Sequence, residues 1–213
     1  MSGCATDLGY MKLSTADLVR VAILAAISVP LMLIDFPLPF FVGFLKIDVS
    51  DVPAVIATCS IGPFAGLLTE LVKNLVKLLI KNDTSGIGEL ANFLVGASYI
   101  LPLGIVTSTR NNHRFMTRTH IVQAKRFIFG AVLGTVAMVI ASCLLNYFLL
   151  IPVYSRILQL PISGIVAMGT AVNPGINSLW TLILLSVAPF NLLKAILVSA
   201  LGYLLYRVLE RFL

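Results

Sequence analysis

The sequence predicts an all-α integral membrane protein of six transmembrane helices, with an ordered outer loop after the first helix. Three observations carry this expectation. Hydrophobic residues make up 59% of the chain and charged residues only 11%, against about 25% charged in a soluble domain. The mean hydropathy is +1.01. The apolar runs are interrupted by short polar or Gly/Pro stretches at the spacing of membrane helices, and 213 residues suit one unit of five to seven spans at about 20 residues each. A single domain over 1–213 is therefore expected, with no soluble segment long enough to fold separately.

The first helix is placed at about 18–36, behind an N-cap at Ser14 or Thr15. Ala22 and Ala26 form a small-xxx-small pair on it, with Ala25 and Ser28 beside them, a face that permits close helix approach. The preceding tail, 1–15, has acids and no apolar core, unlike a cleavable signal peptide. The loop that follows reads "DFPLPFFVGFLKIDVSD". Its "FLKIDV" alternates enough to suggest short extended structure. Phe40, Phe41 and Phe44 would either cover an apolar ligand or rest on lipid headgroups.

The second helix, 51–61, is about 11 residues or roughly 16 Å, too short to span alone. Gly62–Pro63 then turns the chain into a third helix at 63–81. Glu70, Lys73, Asn74 and Lys77 share one face there. They would form either a polar pathway or a Glu70–Lys73 pair with Lys77 snorkelling outward, and the pair is the expectation carried forward. The fourth helix covers about 86–106 and the fifth about 126–151.

The sixth is the least obvious. Residues 180–211 are apolar enough for one helix of about 32 residues, but roughly 48 Å exceeds a hydrocarbon core of about 30 Å. Pro189 suits the first turn of a helix, so the expected start is 189. That puts Asn191 and Lys194 near one membrane surface and leaves 152–188 as a long outer loop. A lysine at the bilayer centre would cost about 2.5–3.5 kcal/mol.

The loop 107–125 holds Arg110, Arg114, Arg118 and Lys125 without an acid, and Arg126 adjoins it. An even number of spans puts Lys12, Arg20, Arg207 and Arg211 on the same side. Lys46, Lys81 and Arg156 lie opposite. The positive-inside rule then makes both termini cytoplasmic. The net charge of +6 reflects this sidedness and does not call for nucleic acid. Cys4, Cys59 and Cys143 lack metal-ligand or disulfide spacing and read as small apolar fillers; no metal site is expected.

Glu89 and Asn92 share a face at the outer end of the fourth helix, as Asn191 and Lys194 do on the sixth, and Asn146 sits in the outer third of the fifth. Polar groups in a bundle face its interior. These five would line a pocket open to the outside. The structural alternative is asparagines bonded between helices and Glu89 paired with Lys194. No phosphate-cradling G-x-x-x-x-G-K-[ST] is present, no H-E-x-x-H, and no apparent inverted repeat. His113 and His120 fall in the basic loop. The chain can bind something outside, and no energy source for pumping it is apparent.

"FLKIDVSDVPAVIATCSIGPFAGLLTELVKNLVKLL", "TSGIGELANFLVG" and "APFNLLKAILVSALGY" resemble the riboflavin-specific S component of energy-coupling factor (ECF) vitamin transporters, in that order over about 16–211. The resemblance implies a bacterial plasma-membrane protein that binds one vitamin from outside. It implies delivery together with a transmembrane coupling subunit and two cytoplasmic ATPases, which would supply the missing energy source. It places the coupling-subunit contact at Ala22 and Ala26. It places ligand contacts at Asn191 and Lys194, with Asn146, Glu89, Asn92 and the loop residues Phe44, Leu45 and Lys46 as further candidates. The basic loop is longer than the family would suggest, leaving room for a contact to lipid or the ATPases. No cofactor is implied; riboflavin, or its phosphate FMN, is the cargo. Its apolar tricycle and polyhydroxyl tail suit a site with apolar walls and few convergent polar groups. An S component for another vitamin and an autonomous facilitator or channel remain as alternatives. An intramembrane enzyme ranks last, since no nucleophile, base and orienting group occur together.

Overall fold

The structure is a computed structural model that describes residues 13–80, 86–108, 122–157 and 159–209. Most of the basic loop 107–125, and its histidines, lie outside these. The described chain is largely helical: α1 Thr15–Leu33, α2 Val52–Ser60, α3 Pro63–Ile80, α4 Ile87–Thr107, α5 Ala124–Ile157, α6 Ile162–Val172 and α7 Leu179–Leu209. Of these, α1, α4, α5 and α7 are long and apolar enough to cross a membrane. Two-residue strands, β1 Phe36–Pro37 and β2 Lys46–Ile47, pair antiparallel between α1 and α2 and give the loop its predicted extended piece.

Local chemistry sets several of these boundaries. Ser14 caps α1: its hydroxyl accepts from the Asp17 N–H at 3.2 Å, and the Asp17 carboxylate accepts from the Ser14 N–H at 3.1 Å. That reciprocal bonding satisfies donors that would otherwise be orphaned at the helix start. Gly62, at φ 142°, makes the sharp turn between α2 and α3 that a residue with a Cβ would resist.

The short α2 is the centre of the bundle. Every residue from Val52 to Thr58 is buried, as expected of a helix that is apolar all round. Glycines on three other helices let them press against it. A Cβ on Gly66 of α3 would lie 1.9 Å from Thr58 Oγ1, one on Gly202 of α7 2.7 Å from Val55 Cγ1, and one on Gly104 of α4 3.0 Å from Thr58 Cγ2. Such close approach replaces the hydrophobic drive that lipid cannot supply between helices. The main core continues from α2 through Tyr99, Leu103, Phe127, Met138 and Val198. The opposite faces of α1, α5 and α7 leave Ile23, Ile27, Phe129, Val136, Leu192 and Ile196 exposed, the pattern of lipid-facing helices.

A second apolar cluster closes the end of the bundle where the loop 34–50 lies. Val42 and Leu45 pack there with Ile151, Ile165 of α6, Leu182, Val187 and Phe190. Phe41 meets Phe190 edge to face at 5.5 Å between ring centroids. Phe40 and Phe44 stay exposed.

Two helices differ from expectation. The sixth predicted helix starts at Leu179, not at Pro189, and the fifth continues to Ile157. The predicted outer loop 152–188 therefore contains the end of α5, all of α6 and the start of α7. A wide, π-type turn explains how each proline is accommodated. In α7 the turn covers Ile183–Val187, and Ala188 N–H bonds Ile183 O. In α5 it covers Asn146–Leu150, and Ile151 N–H bonds Asn146 O. Pro189 and Pro152 each follow two residues later. A π turn adds one residue and shifts the hydrogen-bond register, so the helix survives a proline that would otherwise stop it. At 34 and 31 residues, α5 and α7 run roughly 51 and 46 Å and outreach a hydrocarbon core of about 30 Å.

Candidate functional site

Lys194 lies midway along α7, not in its first turns as predicted, and is almost wholly buried. Its charge is met by two carboxylates. Lys194 Nζ is 3.2 Å from Asp48 Oδ2 and 3.1 Å from Asp51 Oδ2. The burial of an ammonium is tolerable only with such partners. The structural alternative, in which Glu89 pairs with Lys194, does not hold: Glu89 lies 3.7 Å from Lys77. Lys77 is partly exposed, with its ammonium 3.7 Å from the Glu89 carboxylate of α4.

The cluster extends further. Asp51 precedes α2, and its Oδ1 accepts a hydrogen bond from Lys73 of α3. Lys73 also lies 2.7 Å from Glu70 Oε2, the predicted pair. No aligned donor among the described residues reaches either Glu70 oxygen, so that contact is ionic without hydrogen-bond geometry. Gly96 of α4 lets the carboxylate in; a Cβ there would fall 2.8 Å from Glu70 Oε2. Asp48 is fixed by its own loop, since Oδ1 accepts from the Ser50 N–H at 2.9 Å and from the Ser50 hydroxyl. Three carboxylates and two ammoniums, from the loop, the start of α2, α3 and α7, thus meet inside the bundle.

The remaining predicted residues divide into groups. Asn191 is buried one turn before Lys194 and donates from Nδ2 to Val187 O at 2.9 Å. Asn146 does the same on α5, donating to Ser142 O at 2.8 Å. Each bonds its own helix beside a π turn, and the two π turns pack against each other. Asn92 donates to Asn74 Oδ1 at 3.0 Å. Glu89 and Asn92 therefore engage α3 rather than α7. Leu45 is buried, while Phe44 and Lys46 are exposed, Lys46 beside Asp35 at 3.3 Å. The loop also touches α7 directly, through the Val42 N–H and Ser186 Oγ at 3.3 Å. Sequence reasoning missed Asp48 and Asp51. The available signal was electrostatic: a membrane-buried lysine needs an acid, and few of the nine Asp and Glu residues lie within apolar surroundings.

Ala22 and Ala26 are exposed on α1. They line a shallow apolar groove of about 360 Å³ with Val29, Pro30, Val72 and Val76. Among the described residues no group of three His, Cys, Asp or Glu side chains forms a metal site.

A family model described as the substrate-specific component of ECF transporters matches residues 16–206. The chain belongs to this family. The S component is 36% identical over 191 residues to the riboflavin transporter FmnP of Bacillus subtilis (strain 168), covering 89% of each chain. It is 35% identical over 196 residues to the riboflavin transporter RibU of Staphylococcus aureus (strain TCH60), covering 92% and 91%. A solved S component of a bacterial ECF transporter shares the fold at a TM-score of 0.66 and 34% identity, over 92% of this chain and 96% of that one. As an ECF S component the chain is a substrate-specific transport subunit, not an enzyme.

Proposed function

We propose that this S component captures riboflavin from outside the cell and delivers it inward with an ECF coupling subunit and two cytoplasmic ATPases. The observation that carries the substrate is the likeness to two riboflavin transporters at 36% and 35% identity, over 89% and 92% of this chain. The geometry is in keeping with it. A buried ammonium and a buried amide on α7, Lys194 and Asn191, lie below a loop whose Leu45 and Phe41 are apolar. Riboflavin needs both kinds of surface, a wall for its ring and donors for its carbonyls and hydroxyls.

In this reading Lys194, Asn191 and Asn146 contact the vitamin, and Phe44, Leu45 and Lys46 of the loop cover it. Glu89 and Asn92 border it from α4. Helices α1 to α5 and α7 are the six membrane helices, with α2 reaching only part-way. Both termini are cytoplasmic, and the loop 34–50 faces outward. The exposed alanines of α1 meet the coupling subunit.

The test is the absorption spectrum of the full chain purified in detergent from cells grown with riboflavin. A flavin spectrum, with release of riboflavin on denaturation, is expected. Protein that carries no flavin and does not quench riboflavin fluorescence on titration would overturn the proposal.

A further inference from the structure

We propose that Asp48 and Asp51 are positioning residues that aim the Lys194 ammonium at the vitamin. The inference rests on the reading that Lys194 contacts flavin. A lysine side chain has four rotatable bonds and loses up to about 2 kcal/mol of rotamer entropy when fixed. A binding group already held in place spares the ligand that loss. Here each aspartate has one oxygen on Lys194 and the other on the scaffold. Asp48 Oδ2 is 3.2 Å from Lys194 Nζ while its Oδ1 is held by Ser50. Asp51 Oδ2 is 3.1 Å from the ammonium while its Oδ1 is held by Lys73. The supports therefore come from the loop and from α3, not from α7.

The count of donors makes the arrangement functional. An ammonium has three N–H groups. One is donated to Asp48, the carboxylate of Asp51 lies 3.1 Å away as a charge contact, and an N–H not given to Asp48 is what Lys194 can offer to a flavin carbonyl or ribityl hydroxyl. A supporting shell of this kind is what keeps a contact group within a fraction of an ångström of its productive place.

The competing role is a purely structural ion pair that holds the loop on the bundle, and a mutant cycle separates the two. Riboflavin affinity of the full chain in detergent is measured by fluorescence quenching for the parent, Asp48→Asn, Lys194→Ala and the double variant. Ligand-free melting serves as the fold control. If Asp48 acts through Lys194, Asp48→Asn weakens binding about tenfold, and the double variant binds no worse than Lys194→Ala alone. Ser50→Ala, which loosens Asp48 without changing any charge, should weaken binding a few-fold in the parent and not at all beside Lys194→Ala. It carries the test if Asp48→Asn does not fold. Losses that add in the double variant would overturn the inference, as would parental affinity in both Asp48→Asn and Ser50→Ala while Lys194→Ala binds weakly; neither touches the proposed function. Parental affinity in Lys194→Ala would instead overturn the contact reading and the inference with it.

Discussion

Lys73 and Asp51 form an ion pair that water does not reach, their side chains 0% and 5% exposed. Moving two charges out of water is unfavourable by several kcal/mol per ion, and attraction between them offsets this only when the remaining lone pairs and protons are also met. Glu70 on the same lysine and Lys194 on the same aspartate add opposite charges at 2.7 and 3.1 Å. Lys73→Met would leave Asp51 with one cation and Glu70 with none of its present ones. A destabilisation of about 3–5 kcal/mol is expected, seen as a lowered melting temperature in detergent without ligand. A variant that melts like the parent would show that the cluster relaxes by taking in water.

Ligand affinity should depend on α7. Lys194→Ala removes a charge-assisted donor, worth about 1.5–3 kcal/mol, or roughly 10- to 150-fold in riboflavin affinity. Asn191→Ala should lose less, since its bonds are between neutral groups. Glu89 binds Lys77 rather than Lys194, so Glu89→Gln combined with Lys194→Ala should give additive losses. Fluorescence titration of Lys194→Ala, Asn191→Ala, Glu89→Gln and the double variant checks this, and strong coupling between Glu89 and Lys194 would contradict the pairing in the structure.

Much of this fold was legible because the signals are local. The Ser14 cap, the Gly62–Pro63 turn and the i,i+3 pair of Glu70 and Lys73 each involve residues a few positions apart. The start of α7 was not legible, because Pro189 reads equally as a first turn and as an interior proline. Only the π turn before it decides, and no residue type marks a π turn. The partners of Lys194 were hidden for another reason. Helical spacing links neighbours on one element, whereas Asp48 and Asp51 reach Lys194 only after the loop and α2 have folded onto α7. Length arguments failed where the helices outreach the bilayer, since α5 and α7 use their extra turns to build the cluster with α6.

Helix packing on α2 gives a sharper test of the fold. A Cβ on Gly104 would lie 2.4 Å from Pro63 Cβ and 2.8 Å from Pro63 Cα. Pro63 opens α3 directly after the Gly62 turn, so its backbone has little room to retreat. Gly104→Ala should destabilise the chain by about 1–3 kcal/mol through overpacking. Unchanged melting of the purified variant would mean that α4 stands further from α3 than the structure places it.

Sidedness can be read chemically. The proposed orientation rests on the positive-inside rule, by which the basic residues of the loop 107–125 should place it in the cytoplasm. With Cys4, Cys59 and Cys143 replaced by serine or alanine, a cysteine at Asn112 should react with a membrane-permeant maleimide in intact cells. It should react with an impermeant one only after lysis. Labelling of intact cells by the impermeant reagent would invert the proposed orientation.

The α1 face separates binding from delivery. Ala22 and Ala26 are exposed and belong to a groove with Val29, Pro30, Val72 and Val76, and no residue of the ion cluster lines it. Small residues let a second helix approach closely, and an indole at position 26 would occupy that space. Ala26→Trp should therefore leave the riboflavin affinity of the isolated chain at the parental value, because no proposed contact residue lies on α1. Uptake of labelled riboflavin by cells that also express the coupling subunit and ATPases should fall to background, with recovery of those subunits on the tagged variant reduced in parallel. If affinity and uptake fell together, the alanine face would belong to the packing of this chain; if neither changed, the coupling subunit would dock elsewhere.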